Sequence, residues 1–84
     1  MRHQSRQDDL LLEQIRAGWG AIVGTDIAAL TKPRGLCSGT LTLACYGPIA
    51  LEVHHLAEAL MARINGHLGR VAITRLRLVQ WGNS

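Results

Sequence analysis

Few residues in this 84-residue chain have types suited to chemistry, and their spacing rules out most of what they could do. Cys37, Cys45, His54 and His55 are metal-ligand types, but the pattern Cys-x7-Cys-x8-His-His lacks the closely spaced pairs that let ligands converge on a tetrahedral ion. Unliganded thiols are the better reading. His54 and His55 are neighbours on a helical pattern and point about 100° apart, so a single site cannot use both. Each instead has a carboxylate within helical reach, Glu58 after His54 and Glu52 before His55, which reads as a pair of surface contacts. Glu52 and Glu58 fall on different sides of that helix, so they do not make an acid and base pair. Nucleophile-elbow, zincin and phosphate-loop motifs are absent. The expectation is a chain that is not an enzyme, with no metal and no cofactor.

The basic residues form a more suggestive set. Lys32 and Arg34 precede a hairpin, Arg63 and Arg70 flank the end of a long helical pattern, and Arg75 and Arg77 alternate on one side of a closing strand. The formal net charge is +3 and the isoelectric point is near 9.5, which tilts the chain toward acidic partners such as nucleic acid or an acidic protein surface. If Arg75 and Arg77 emerge on an open sheet face, they meet Thr40, Thr42 and Tyr46, with Trp81 nearby. Such a face suits single-stranded nucleic acid, where arginine neutralises phosphate and a ring stacks on bases. A plain solvated face fits the same residues equally well. A further pattern, Gly66-His67-Leu68-Gly69, spells the Gly-x-x-Gly by which KH domains clamp a nucleic-acid backbone. Here a strand follows almost at once, and termination of the helix explains it better.

These residues must be positioned by helices and strands that the periodicity makes visible. From Gly47 to Arg70 one continuous helix is expected: Pro48 suits a first turn, Gly69 suits a left-handed end, and Ile49, Val53, Leu56, Leu60 and Ile64 form one apolar stripe. Residues 1–7 read as a mobile basic tail, and 8–81 as one domain. A first helix is expected to start between Ser5 and Asp9, with Ser5 and Asp8 spaced as a capping box. Its buried face would hold Leu11, Leu12, Ile15, Trp19, Ile22 and Val23. After Gly24, residues 25–30 are either a second short helix capped by Thr25 or Asp26 or a kinked continuation.

Ser38-Gly39 reads as a two-residue hairpin loop, which pairs Cys37 with Thr40, Leu36 with Leu41 and Cys45 with Lys32, and so separates the two cysteines. In the second strand Leu41, Leu43 and Cys45 face one way, and Thr40, Thr42, Ala44 and Tyr46 the other. The stretch from Val71 to Trp81 reads as a third strand whose apolar parity changes at Thr74. Either Val71 and Ile73 pack under the helix end before the strand joins the sheet, or a bulge lies near Thr74. The expected fold is α+β in two layers, helix-strand-strand-helix-strand, with two helices on one face of a three-stranded sheet. The apolar composition of 48% without any Phe predicts an aliphatic core. No apolar run of about 18 residues is present, and the expectation is a cytoplasmic protein with free thiols.

Trp19-x-x-x-Val23-Gly24, Ile27-Ala28, Thr31-x-Pro33, Leu36-x-x-Gly39-x-Leu41, Glu52-Val53, Leu60, Ile64-Asn65-x-x-Leu68-Gly69 and Leu76 together resemble the bacterial DciA-like family. The likeness spans about Leu10 to Leu78. It departs at Ile49, where an aromatic residue is frequent in the family. The resemblance implies a KH-like fold of the second type and a role in chromosome replication, in which the protein binds the replicative helicase and assists its loading onto single-stranded DNA. A protein-interaction module that does not bind nucleic acid is the alternative.

Overall fold

A computed structural model of the chain describes residues 6–81. Its elements follow the expected order, but each expected helix is broken. Helices α1 (Arg6–Ala17), α2 (Trp19–Val23) and α3 (Thr25–Ala29) lead into strands β1 (Thr31–Cys37) and β2 (Thr40–Cys45). Helices α4 (Ile49–His55) and α5 (Ala57–Leu68) then lead to β3 (Arg75–Gln80). Of the stretch read as a tail, Arg6 and Gln7 belong to α1; the rest, including the Ser5 cap, lies outside the described residues.

Glycine sets the breaks in the first helical run. Gly18 separates α1 from α2. Gly24, at φ 95° and ψ 150°, turns the chain into α3 through a region that only glycine visits readily. Residues 25–29 are thus a separate short helix, and Gly24 itself is the cap, not Thr25 or Asp26. The expected apolar face holds: Leu11, Leu12, Ile15, Trp19, Ile22 and Val23 are all buried. The Trp19 indole N–H donates to Thr31 Oγ1 at 3.0 Å, and the Thr31 hydroxyl donates to the Ile27 carbonyl at 2.7 Å. This chain of bonds satisfies the polar end of a buried ring and ties α2, α3 and β1 together.

The long helix is not continuous, which corrects the reading of residues 47–70. It breaks at Leu56, whose N–H is shared between the carbonyls of Glu52 at 3.0 Å and Val53 at 3.1 Å, a local tightening of the helical ladder. Leu56 is therefore 37% exposed while its stripe-mates Val53, Leu60 and Ile64 are buried. At the far end Gly69 is left-handed at φ 75°. Its N–H reaches the Gly66 carbonyl at 3.3 Å and the Arg70 N–H reaches Asn65 O at 3.2 Å, the paired bonds of a Schellman ending. The Gly-x-x-Gly sequence is spent on stopping α5, and Leu68 packs against the core.

The hairpin has the expected register at its tip, Cys37 with Thr40 and Leu36 with Leu41. Ser38 at φ 49° and Gly39 at φ 85° are the two left-handed positions of a type I′ turn. Farther along, a bulge at Arg34 moves the register by one residue, so Cys45 faces Thr31 and not Lys32 as expected. Arg16 of α1 spans the bulge, its guanidinium donating to the carbonyls of Pro33 at 3.1 Å and Arg34 at 3.3 Å. Both cysteines are free.

The third strand begins only at Arg75, so the parity change at Thr74 marks entry into the sheet and not a bulge. Residues 71–74 are tied to α5 by Asn65. Its Oδ1 accepts the N–H groups of Ala72 at 2.9 Å and Ile73 at 2.8 Å, and its Nδ2 donates to Ile73 O at 3.0 Å. Ile73 packs into the core at 1% exposure, but Val71, expected to pack with it, is 78% exposed. Strand order is β1-β2-β3, with β1 antiparallel and β3 parallel to β2. The helices pack on the sheet face that carries Leu36, Leu41, Leu43, Leu76 and Leu78, giving an α+β domain of helices on a three-stranded mixed sheet.

Candidate nucleic-acid interface

Because side chains alternate along a strand, the leucines facing the helices put their neighbours on the opposite face. The pairing arranges that face in rows. Thr40 stands beside Arg75 and Cys37, Thr42 beside Arg77 and Gly35, and Ala44 beside Val79 and Lys32. One step farther, the Tyr46 N–H donates to Leu30 O at 2.8 Å and the Trp81 N–H to Cys45 O at 2.9 Å, so both ladders continue as far as the aromatic residues. The Tyr46 and Trp81 rings meet edge to face with centroids 5.9 Å apart, and Lys32 Nζ lies 5.9 Å from the Trp81 ring centroid. One end of the face thus carries threonine and arginine, and the other two aromatic rings with Lys32 beside them.

The structure gathers only part of the predicted basic set. Lys32, Arg75 and Arg77 are exposed and share the open face, and Arg34 is exposed on the bulge at its β1 edge. Among the described residues no hydrogen bond or ion pair engages the side chains of Arg75 or Arg77. Arg63 and Arg70 lie elsewhere, on the helical layer. Arg63 donates to Ile22 O at 3.5 Å and borders a groove with Asp26 and Glu52, and Arg70 borders a depression shared with α1. All six acidic residues, Asp8, Asp9, Glu13, Asp26, Glu52 and Glu58, fall on helices and none on a strand. The strands carry cations alone.

Two features escaped the sequence. The first is a concavity of about 310 Å³ at the aromatic end, lined by Ala29, Leu30, Tyr46 and Trp81. Leu30 looked like the end of a helix, and nothing short of the Tyr46 to Leu30 bond places it beside the rings. The second is Arg16 of α1, whose guanidinium holds two carbonyls at the edge of the sheet. The histidines also differ from expectation. Their ring centroids lie 6.2 Å apart, and among the described residues no ion pair joins them to Glu52 or Glu58; the break at Leu56 falls between His54 and Glu58. Cys45 is buried, and loss of solvation pushes its thiol pKa above the ordinary value.

Among the described residues no helix is long and apolar enough to cross a membrane. No curated protein matches the chain. A family model does: the one described as Dna[CI] antecedent, DciA, matches residues 1–78. That match takes in every helix, the whole hairpin and β3 as far as Leu78, and on its extent the chain belongs to the DciA family.

Proposed function

We propose that this domain is a non-enzymatic adaptor of DNA replication that holds single-stranded nucleic acid on its open sheet face and docks the replicative helicase to assist its loading. Membership of the DciA family supports the helicase part. The separation of charge carries the nucleic-acid part: strands that bear Lys32, Arg34, Arg75 and Arg77 and no carboxylate, against helices that bear every acid. A surface built only to keep a small domain soluble has no need to sort its charges by layer. With phosphates paired to Arg75 and Arg77, Thr40 and Thr42 lie beside them as hydroxyl partners, and the rings of Tyr46 and Trp81 supply the apolar contact that single strands favour. Arg63 and Arg70, on the other layer, take no part.

Fluorescence anisotropy with a labelled single-stranded oligonucleotide tests this reading. Arg75→Ala and Arg77→Ala each weaken binding several-fold, whereas Arg63→Ala and Arg70→Ala leave it unchanged. No binding at low salt, or equal losses from both pairs, refutes it. The second reading, a protein-interaction module without nucleic-acid binding, draws on the groove of about 500 Å³ between α3 and the α4–α5 break, which Leu56 and Leu60 line beside Asp26 and Glu52. It predicts that helicase captured on the immobilised domain is lost on Leu56→Glu, with oligonucleotide binding absent throughout.

A further inference from the structure

The aromatic end of the open face is more than a terminus of the sheet. We infer that the concavity lined by Ala29, Leu30, Tyr46 and Trp81 is a seat for one unpaired nucleobase, and that it makes the domain select single strands over duplex; this rests on the reading of the open face as a nucleic-acid surface. Three observations converge on it. The walls are two aromatic rings held edge to face, with Leu30 and Ala29 completing an apolar depression of about 310 Å³, at the small end of the range for sites that enclose a planar heterocycle. Lys32 stands beside Trp81, where a cation meets the phosphate of a nucleotide whose base is seated against the ring. The arginine rows lie on the same face, and Trp81 follows Arg77 by four residues, about 13 Å along a strand, so one extended chain can reach both ends.

The neighbouring depression argues for a single seat. Tyr46 and Leu30 also border a second hollow, with Pro48 and Ile49, but Glu52 lines that one and repels a phosphate. The chemistry also sets the selection. In a duplex each base is stacked on both sides and paired at its edge, so seating one requires unstacking and unpairing it first. A single strand offers bases already free. The rows of Arg75 and Arg77, by themselves, read phosphates that both forms possess.

Anisotropy titrations of the whole domain with three labelled probes test the seat: oligothymidylate of about 12 nucleotides, within the site sizes usual for such surfaces, an abasic oligomer of the same length, and a duplex of the same length. Oligothymidylate is expected to bind roughly tenfold more tightly than the abasic strand, the range that stacking one base on an aromatic ring gives. Trp81→Ala removes that ratio and leaves abasic binding unchanged. Tyr46→Leu, at a more exposed position, does the same and guards against a folding defect in the first variant. Equal affinity for thymidylate and abasic strands, both salt-dependent, overturns the seat and leaves the arginine surface standing. Binding of neither strand overturns both. Variants that keep the ratio but lose helicase capture assign the concavity to a protein and overturn the seat as well.

Discussion

At the scale of single residues, the side chains of Trp19, Thr31 and Asn65 tie neighbouring elements together. Asn65 closes three bonds to residues 72 and 73 and so fixes where the chain leaves α5 for β3. Asn65→Ala strands two backbone donors and an acceptor, at a cost of about 1–3 kcal/mol, and a thermal melt is expected to show it as a drop of several degrees. Oligonucleotide affinity at a temperature where the variant is folded stays within error of the parent, because Asn65 is not on the open face. The cysteines give a second residue-scale prediction. In the native domain a thiol reagent modifies exposed Cys37 at once and buried Cys45 only as the domain opens. Burial raises the Cys45 pKa, so the stability linked to it is fully present below the pKa of the unfolded thiol and is lost as pH rises through the folded value. Denaturation midpoints should fall in alkaline solution above about pH 8.5 and fall less in Cys45→Ala.

At the scale of elements, what periodicity controls was legible and what backbone torsion controls was not. The alternation of Leu41 and Leu43, the Ser38-Gly39 turn and the helical face from Leu11 to Val23 all rest on side-chain spacing, and the sequence displays spacing directly. The breaks behaved differently. Gly24 is legible as a punctuation mark, but its φ of 95°, which makes it and not Thr25 or Asp26 the cap of α3, is not written in side-chain spacing. Leu56 has neither proline nor glycine beside it and gives no sign of the break. At the bulge near Arg34 an arginine 18 residues earlier grips two carbonyls, a long-range contact with no local signature. The same limits apply to the interface. Arg75 and Arg77 were placed on the open face by parity, whereas Arg63 and Arg70 had only their charge to suggest them, and the structure leaves them on the other layer. Gly24→Ala tests the element-scale account. A side chain at that torsion is strained by about 1–3 kcal/mol, and with no atom near the added methyl the loss is torsional, so Gly24→Asn should be destabilised as much as Gly24→Ala in the same denaturation assay.

For the molecule as a whole, the two layers divide the work. The helices pack on one face of a three-stranded sheet and carry all the acids, and the other face is left uncovered and cationic. The measurement closest to this claim is the slope of log affinity against log salt for a single-stranded oligonucleotide, taken for the parent domain and for the double variant Arg75→Ala, Arg77→Ala. Each lost phosphate contact on a single strand lowers the steepness of the slope by about 0.7. The account predicts a loss of roughly 1.4 for the double variant, with no change for Arg63→Ala, Arg70→Ala. An unchanged slope in the sheet variant, or an equal loss in the helical one, would contradict it.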